Sequence, residues 1–567
     1  MAVRRYVGSL VLAWISLLIS AGEHSSDRSS DPECPECVAP EPPSIQLLQT
    51  QLKPQRGGRE SADDPLALLL RTCSGLGCLK GYVDLPDSAY HWNDTGTRLQ
   101  GFSKGSSWSA TVLELTSQEW LPGFVHPGEW NHALAIITPE TVKSTASGWC
   151  SLYIAFGFYG SEGTPAKSLT STDPDVMAMA ELAVTTGRPA AVLFNVPAGF
   201  LSFGLDGVKI EDGEMSESEA LFGGITALGN ISHAAKPWKP VTKILAELPM
   251  AKAVVRAMDT ISEYSVSADL GEMSRFALLG TSKRGNLCWH AAAVDQRVAA
   301  IAPFVKFLNM EGFLHITEQS LGGLPAAAKD YVKLGLMSHE FLSSPPGLWF
   351  LNVTDAYDYV NTFARLPKLV ISAGNDEFMV PDHTRNWWPA VPEPKWNLMV
   401  PNSAHIVGGL QVHNVIPTVA AFFNSAMHSS EMPNLLWNLG NGTIAASLQG
   451  DVKRVKLWQA TTCDDRRRDF RLHNGDVGEA CKKCGVPSSS FGSCENKAVG
   501  WSSSPLAETW PGSQQWIAKV EPPSKGWTAF FIGFDFGDLQ LSTEVSVVPL
   551  DFPFQKCFEA ESCMGLV

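Results

Sequence analysis

Residues Arg275–Pro303 read RFALLGTSKRGNLCWHAAAVDQRVAAIAP, and this stretch predicts one strand-helix-strand unit. The apolar run Phe276–Leu279 is short and is followed by Gly280, a pattern typical of a buried strand. A helical pattern follows Gly285, and a second apolar run occupies Val298–Pro303. A helix between two buried strands indicates an α/β sheet.

Ser282 lies at the predicted turn between this strand and its helix. A serine at a sharp strand-to-helix turn exposes its hydroxyl above the sheet, beside the backbone N–H groups that begin the helix. The usual pattern of such a nucleophile elbow is G-x-S-x-G, whereas the chain has Gly280-Thr281-Ser282-Lys283-Arg284-Gly285, with the second glycine one place later. Serine is also a common N-cap residue, so a catalytic interpretation depends on finding an acid and a base elsewhere.

An acid and a base follow in the expected order. Asp376 comes directly after the predicted strand Pro367–Gly374, and His405 lies in the loop that leaves the predicted strand Trp396–Val400. Open α/β sheets place ligands at the carboxyl ends of their strands. Ser282, Asp376 and His405 have the chain order of an α/β-hydrolase triad, in which the histidine takes the serine proton and the carboxylate orients the histidine.

Alternatives exist for both partners. Asp382 competes with Asp376 for the acid role, and His383 and His413 compete with His405 for the base role. Asp376 is preferred because it stands nearest the strand end, and His405 because it alone sits in a small-residue loop between a strand and a helix.

The backbone N–H of Lys283, the residue after the serine, is the first expected oxyanion donor. The second is expected from an earlier glycine-flanked loop, at Phe158. Lys283 and Arg284 also place two positive charges beside the serine. They favour an anionic group on the substrate, or a salt bridge to a carboxylate such as Glu211 or Asp212.

The composition limits the class of protein. The chain has 567 residues, a length typical of two to four domains, with a net charge of −15 and a sequence pI near 5.4. That charge argues against nucleic acid or an anionic membrane as the main partner. The expected partner is a small-molecule or peptide substrate, and a cell-surface partner is a further possibility. No cofactor or metal is expected.

The first residues predict export. Residues 1–22 have two arginines, a short apolar run and a small-residue end, typical of a secretory signal peptide rather than a membrane anchor. Residues 23–65 read as a disordered leader that contains Cys34 and Cys37, for which a local disulfide is expected. An even number of cysteines, twelve, agrees with an extracellular location, as do sequons at Asn93, Asn230, Asn352 and Asn441. No membrane span is expected after signal cleavage.

The pattern changes near the C-terminus. Residues 66–446 predict an α/β-hydrolase-like domain with a mostly parallel sheet flanked by helices, and a staple between Cys73 and Cys78. Residues 447–567 contain short alternating runs between Gly, Pro and Ser clusters, which predict a β-rich, sandwich-like appendage. The cysteines of Cys481-x-x-Cys484 and Cys494 allow a zinc site, but disulfides are the preferred interpretation in an exported chain.

Several spaced motifs together resemble the PhoPQ-activated pathogenicity-related protein family, which includes the autocrine proliferation repressor proteins. The matching residues are Tyr82-Val83, Pro86-Asp87, Trp92, Leu115 to Trp120, Trp130-x-His132, Leu248 to Lys252, Ala257 to Thr260, Gly280-x-Ser282-Lys283-Arg284-Gly285, Asp295-x-Arg297-Val298, Asp376-Glu377-Phe378, Pro381-Asp382, Pro401-Asn402, His405 and Gly526 to Phe531. The resemblance implies an exported α/β-hydrolase fold with Ser282, Asp376 and His405 at the triad positions, and it makes S-K-R-G an expected form of the elbow. The chain departs from the family at Pro197-Ala198-Gly199-Phe200, where relatives tend to have Pro-Asn-Gln-Pro.

These features favour a secreted serine hydrolase that cleaves an ester or amide through an acyl-enzyme. A secreted signalling or adhesion protein that keeps the fold for binding is the alternative from another class. A polysaccharide esterase similar to glucuronoyl esterases is a third interpretation, based on the shared G-x-S-x-x-G spacing and the basic residues beside Ser282.

Overall fold

The fold is described from a computed structural model. It covers residues 73–567 except 123–124, 143–147, 158, 161–163, 200, 204–244, 334, 406–411, 464, 475–483, 485, 488–493, 496 and 556–565. The predicted signal peptide, leader and Cys34–Cys37 pair therefore lie outside the described residues.

Within the described residues, nine strands form the main sheet. They are β1 (His91–Ser103), β2 (Ser106–Glu119), β3 (Glu129–Pro139), β4 (Trp149–Ile154), β5 (Ala190–Leu193), β6 (Arg275–Thr281), β7 (Val298–Phe304), β8 (Lys368–Ala373) and β9 (Lys395–Val400). The inner strands are apolar almost throughout, as expected for strands covered on both faces.

The order in the sheet is β1-β2-β3-β5-β4-β6-β7-β8-β9. Strands β1, β2, β3 and β5 pair antiparallel in succession, and the five pairings from β5 through β4 to β9 are parallel. The strand order follows the chain except that β4 and β5 exchange places. This order is that of the α/β-hydrolase fold. The predicted fold class is confirmed.

Helices cover the sheet, and their ends follow from the sequence. The α-helices are α1 (Leu76–Asp84), α2 (Pro174–Thr186), α3 (Glu247–Ser267), α4 (Lys283–Val294), α5 (Met310–Leu321), α6 (Lys329–Lys333), α7 (His339–Ser343), α8 (Pro345–Thr354) and α9 (Val412–His428). Helix α2 is bounded by the Asp173 side chain, which accepts from two backbone N–H groups, and by Gly187 in the left-handed conformation. Pro249 lies in the first turn of α3, so the proline marks a helix start.

Short elements complete this part of the chain. The 3₁₀ helices are Ala166–Ser168, Ala326–Ala328, Ala356–Phe363, His383–Asn386, Trp388–Ala390 and Lys497–Val499, and a two-residue pairing joins Val125–His126 to Ser202–Phe203. Helices α5 to α8 all lie in the segment between β7 and β8.

The remaining strands form the β-rich region, which begins at Asn434. They are β10 (Asn434–Gly440), β11 (Thr443–Gln449), β12 (Arg454–Thr461), β13 (Ser502–Pro505), β14 (Gln515–Lys519), β15 (Thr528–Asp535), β16 (Gln540–Ser542) and β17 (Ser546–Val548), with two-residue strands at His473–Asn474, Val486–Pro487 and Cys494–Glu495. One antiparallel sheet has the order β10-β11-β14 and another β13-β12-β15-β16, with β17 also on β15. The expected change at residue 447 falls inside β11, so the antiparallel strands start earlier than predicted; the division into domains stays a prediction.

The β-rich region shares its core with the hydrolase sheet. Phe423 of α9, Trp516 of β14 and Phe530 of β15 belong to one continuous cluster of buried apolar side chains. Across the junction, the Asn397 side chain donates to the Thr543 carbonyl at 2.9 Å. A shared core of this kind differs from the predicted appendage, because the two parts cannot separate without exposing buried apolar surface.

Two disulfides are described. Cys73 pairs with Cys78, as expected, and Cys463 pairs with Cys484. The second bond uses one of the sulfurs that the zinc alternative requires. No described helix has both the length and the apolar character needed to cross a membrane.

Candidate active site

Ser282 occupies the turn between β6 and α4 with φ 56° and ψ −122°. A non-glycine residue in this region is strained, and such strain persists only where the surroundings hold it in place. The backbone holds it here: the Ser282 N–H donates to the Phe304 carbonyl at 3.0 Å, and the Ser282 carbonyl accepts from the Asn286 N–H at 3.1 Å. The side chain is half-buried, so it remains accessible to a reactant.

Both glycines of the unusual elbow are explained by close backbone approach. A Cβ at Gly280 would lie 2.5 Å from the Arg284 carbonyl oxygen. A Cβ at Gly285 would lie 2.8 Å from the Phe304 carbonyl oxygen of β7. The first glycine lets α4 pass over β6, and the second, displaced one lets α4 pack against the end of β7.

Ser282, His405 and Asp376 form one hydrogen-bonded chain. The His405 Nε2 atom lies 2.9 Å from the Ser282 Oγ atom, and His405 Nδ1 lies 2.8 Å from Asp376 Oδ2 and 3.0 Å from Oδ1. The three side chains come from the carboxyl ends of β6, β8 and β9. The structure thus brings together the three residues that the sequence nominated.

The competing residues have other contacts. Asp382 is paired with Arg468, whose Nη2 lies 2.7 Å from Asp382 Oδ2, and both side chains are buried. The buried His383 ring accepts from the Trp387 indole N–H at 3.3 Å. His413 lies at the start of α9, where the side-chain surroundings are not among the described features.

Asp376 is held in place by its own loop. Its Oδ1 atom accepts from the backbone N–H groups of Phe378, at 2.7 Å, and Met379, at 3.1 Å. The carboxylate is almost fully buried, and these bonds provide partners for an oxygen that is shielded from water. An oriented, charged carboxylate is what the imidazole needs to stay in one tautomer and to accept a proton.

Asp376 and Glu377 both raise the pKa of His405. Burial lowers the pKa of His405, but the charge and hydrogen bond of Asp376 and the charge of Glu377 outweigh it, and the net pKa is raised above 6.5. Glu377 also accepts the His405 backbone N–H at 2.6 Å, and burial together with Asp376 raises the pKa of Glu377 to about 7. Glu377 had no predicted role, although it stands directly beside Asp376 in the sequence.

Of the two predicted oxyanion donors, Lys283 and Phe158, only Lys283 lies among the described residues. Lys283 is the first residue of α4, and the backbone N–H groups in the first turn of a helix point toward the helix start. Phe158 lies outside the described residues, so the second predicted donor stays a prediction. Its place after Ser282 and its position at the helix start keep the Lys283 N–H as the first candidate for an oxyanion donor.

The two basic residues after Ser282 differ in their surroundings. The Arg284 Nε–H donates to the Val196 carbonyl at 2.6 Å, and its guanidinium lies over the Phe156 ring at 4.5 Å. Burial raises the pKa of Glu247, and the charge of Lys283 is one of the smaller effects that oppose this shift. Glu211 and Asp212, the suggested salt-bridge partners, lie outside the described residues.

A buried polar cluster lies between α3, α4 and α8. The Asn286 side chain donates to Glu247 at 3.1 Å, and the His290 Nε2 atom lies 2.9 Å from the Thr354 carbonyl. Burial raises the pKa of Glu247 to about 7 against the opposing charge of Lys306. No local sequence pattern predicts this cluster, because its members come from α3, α4 and α8.

The loops of Asp376 and His405 are bonded to the β-rich region. The Asn375 side chain donates to the Phe470 carbonyl at 2.8 Å and the Val499 carbonyl at 3.1 Å. The Trp501 indole N–H donates to the Gly374 carbonyl at 3.1 Å. Asn402 and Trp501 exchange a further pair of bonds. The β-rich region therefore helps position two of the three side chains.

The strand order defines the chain as an α/β-hydrolase-fold protein. A profile of the PhoPQ-activated pathogenicity-related protein family matches residues 79–471, and the chain belongs to that family. This confirms the resemblance seen in the sequence motifs.

A curated relative, autocrine proliferation repressor protein A of Dictyostelium discoideum, is 28% identical over 509 residues, which cover 86% of this chain and 93% of the relative. Among solved structures, an acetyl xylan esterase from Paenibacillus sp. R4 is similar at 15% identity and a TM-score of 0.37, covering 66% of this chain and 99% of its own. A glucuronoyl esterase from Solibacter usitatus is similar at 13% identity and a TM-score of 0.35, and the match covers 64% of this chain and 91% of the esterase.

Proposed function

We propose that the chain is an exported serine hydrolase that cleaves an ester or amide bond through an acyl-enzyme. The observation that carries the proposal is the continuous contact from Ser282 Oγ to His405 Nε2 at 2.9 Å and from His405 Nδ1 to Asp376 Oδ2 at 2.8 Å. A serine hydroxyl is a weak nucleophile until an adjacent base takes its proton.

In the proposed acylation, Ser282 Oγ attacks the substrate carbonyl carbon while its proton moves to His405 Nε2. The carbonyl oxygen becomes an oxyanion, and the Lys283 N–H at the start of α4 donates to it. Collapse of this intermediate breaks the bond to the leaving group, which takes the proton from His405. Water then repeats the sequence on the acyl-serine, with His405 as its base, and the acid product leaves. Asp376 stays charged and stabilises the imidazolium at each step.

Three features support export. The N-terminal residues have the pattern of a signal peptide. Two disulfides lie in the described residues, and disulfides persist in oxidising compartments. The sequons at Asn93, Asn352 and Asn441 are all exposed, as glycosylation requires. The substrate is proposed to be a small ester or a peptide.

A second candidate is a secreted signalling or binding protein on the same fold. It is favoured by the name of the relative, autocrine proliferation repressor protein A. A surface that only binds a partner has no need for a strained serine, a half-buried histidine and an oriented carboxylate in one chain of contacts. The site geometry therefore favours chemistry.

Labelling with a fluorophosphonate probe separates the two candidates. The glycosylated full chain should be labelled, and so should the enzymatically deglycosylated chain, whereas Ser282→Ala and His405→Ala should not. Ser513→Ala, at a half-buried serine of the β-rich region, is the matched control and should be labelled like the wild type. A correctly folded, deglycosylated wild type that stays unlabelled would contradict the hydrolase proposal and leave the binding candidate. Esters and aminoacyl amides of graded length would then separate esterase from peptidase.

A further inference from the structure

A cluster of metal-ligand side chains lies in the segment between β7 and β8. His315, Glu318 and His339 each offer a ligand atom, and these atoms all lie within 4.8 Å of one another. Within the described ranges this is the one place where three such groups converge. We propose that these three side chains bind a zinc ion that fastens α5 to α7.

The backbone explains why the three side chains meet. His315 and Glu318 are three residues apart on α5 and so lie on the same helix face. His339 is the first residue of α7, which Ser338 caps by accepting the Phe341 N–H. The imidazoles of His315 and His339 stack with centroids 4.8 Å apart and planes 26° from parallel. Two separate elements thus supply one compact set of donors.

The donor set suits zinc. Two imidazole nitrogens and one carboxylate are a known ligand combination for Zn²⁺, which binds such atoms at about 2.0–2.2 Å. Tetrahedral ligands at those distances stand about 3.3 Å apart, so the side chains need only small rotations to close on an ion. Imidazole selects zinc over Ca²⁺ and Mg²⁺, which prefer oxygen ligands.

A fourth position is open to water or to Glu311. The Glu311 Oε1 atom lies 3.8 Å from His315 Nε2, one helical turn before it on α5, and the Glu311 side chain is largely exposed. Glu318, in contrast, has only 6% of its side chain exposed and lies 2.7 Å from His339 Nε2. An ion at this place would compensate a carboxylate that folding has removed from water.

The proposed role of the ion is structural. None of the three ligands belongs to the contact chain of Ser282, His405 and Asp376, so the site is separate from the proposed hydrolysis. Helix α5 starts against Asp355, whose carboxylate accepts the Met310 N–H at 2.7 Å, and ends where the Ser320 carbonyl accepts the Arg468 N–H at 2.9 Å. Zinc would link α7 to α5, which these two bonds already hold in place.

The test uses the full chain without a histidine tag, stripped with a chelator and titrated with Zn²⁺ while bound metal and melting temperature are measured. The wild type should bind one zinc per chain with a rising melting temperature, and Co²⁺ in its place should give the visible absorption of a tetrahedral site. His315→Ala/His339→Ala should bind at least 100-fold more weakly, with no rise in melting temperature. His91→Ala, at an exposed histidine of β1, is the matched control and should behave like the wild type.

Glu318→Gln guards against misfolding of the double variant. It keeps the side-chain size and a hydrogen-bonding oxygen, so the metal-free variant should fold and melt close to the wild type while binding zinc at least tenfold more weakly. If the wild type binds no zinc at micromolar concentration, or if the double variant or Glu318→Gln binds it as tightly as the wild type, the three residues form only a hydrogen-bonded cluster and the proposal is wrong. Ca²⁺ and Mg²⁺ should leave the melting temperature unchanged, and a rise equal to that with zinc would equally overturn it.

Discussion

Trp501 and Asn402 exchange two hydrogen bonds between the β-rich region and the loop that carries His405. The Trp501 N–H donates to Asn402 Oδ1 at 2.7 Å, and the Asn402 Nδ2 atom donates to the Trp501 carbonyl at 3.0 Å. Asn402 has a positive φ of 56°, a conformation that asparagine tolerates better than most residues. The two bonds therefore help to hold Asn402 in this conformation.

We expect Asn402→Gly to slow the reaction without unfolding the protein. Glycine keeps the left-handed conformation and removes both side-chain bonds, so His405 should lose its orientation toward Ser282. The rate of fluorophosphonate labelling should fall roughly tenfold to a hundredfold, as is typical of small misplacements of reacting groups. Gln514→Gly, at another exposed residue with positive φ, is the matched control, and an equal loss in both variants would contradict a positioning role for Asn402.

Asp376→Asn and Asp382→Asn should separate the two acids. Asparagine at 376 cannot stabilise the imidazolium and favours the wrong tautomer, so labelling should slow roughly 10³- to 10⁴-fold in a folded protein. At 382 the change breaks a buried pair with Arg468, which should lower the free energy of unfolding by roughly 3–5 kcal/mol. Urea unfolding and labelling rates measure the two effects. A larger rate loss at 382 than at 376, among folded protein, would reverse the assignment.

The site residues were predictable because each follows an apolar run. Ser282 comes directly after β6, and Asp376 and His405 lie in the loops that follow β8 and β9; the topology of a parallel sheet then brings these strand ends together. The same reasoning could not find Asn375 or Trp501, because their bonds join positions that are 124 and 127 residues apart in the chain. No local pattern encodes such contacts.

Some motif residues of the family serve the scaffold instead. Arg297 of the Asp295-x-Arg297 motif lies 2.6 Å from Asp295 and 2.7 Å from Asp259 of α3. Lys252 donates to the Leu85 carbonyl at 2.9 Å. These two motif residues therefore contribute to the architecture, and the geometry distinguishes them from the residues that contact Ser282.

The pH dependence of labelling should report on Glu377. The reaction needs neutral His405, so the rate should rise with pH through the raised pKa of His405. The charge of Glu377 contributes to that raised pKa; Glu377→Gln removes it and should move the rise to lower pH. Glutamine keeps an acceptor for the His405 N–H. Glu431→Gln, at an exposed acid, is the control, and an unchanged or higher midpoint in Glu377→Gln would contradict the electrostatic role.

Gly285→Ala should destabilise the protein although it adds a better helix former. The new Cβ would meet the Phe304 carbonyl at 2.8 Å, and such overpacking costs roughly 1–3 kcal/mol. Gly77→Ala in α1 is the matched control: nothing lies within 4 Å of its Cβ, so it should stabilise by up to about 1 kcal/mol. Urea unfolding measures both, and labelling should slow only in Gly285→Ala. Equal effects of the two changes would refute the packing explanation of the displaced glycine.

Glu247→Gln should stabilise the protein at alkaline pH but not at acidic pH. Burial raises the pKa of Glu247 from 4.5 to about 7, so the folded state holds the proton more tightly than the unfolded state does. The wild type therefore loses stability as pH rises from about 4.5 to about 7, because ionisation leaves a charge in the buried cluster. Glutamine keeps the acceptor for Asn286 without that charge, and it should gain roughly 1–3 kcal/mol over the wild type at pH 8 and little at pH 4. Urea unfolding at both pH values tests this, with exposed Glu340→Gln as the control. A gain that is the same at both pH values would mean that packing, and not ionisation of Glu247, causes the difference in free energy of unfolding between the variant and the wild type.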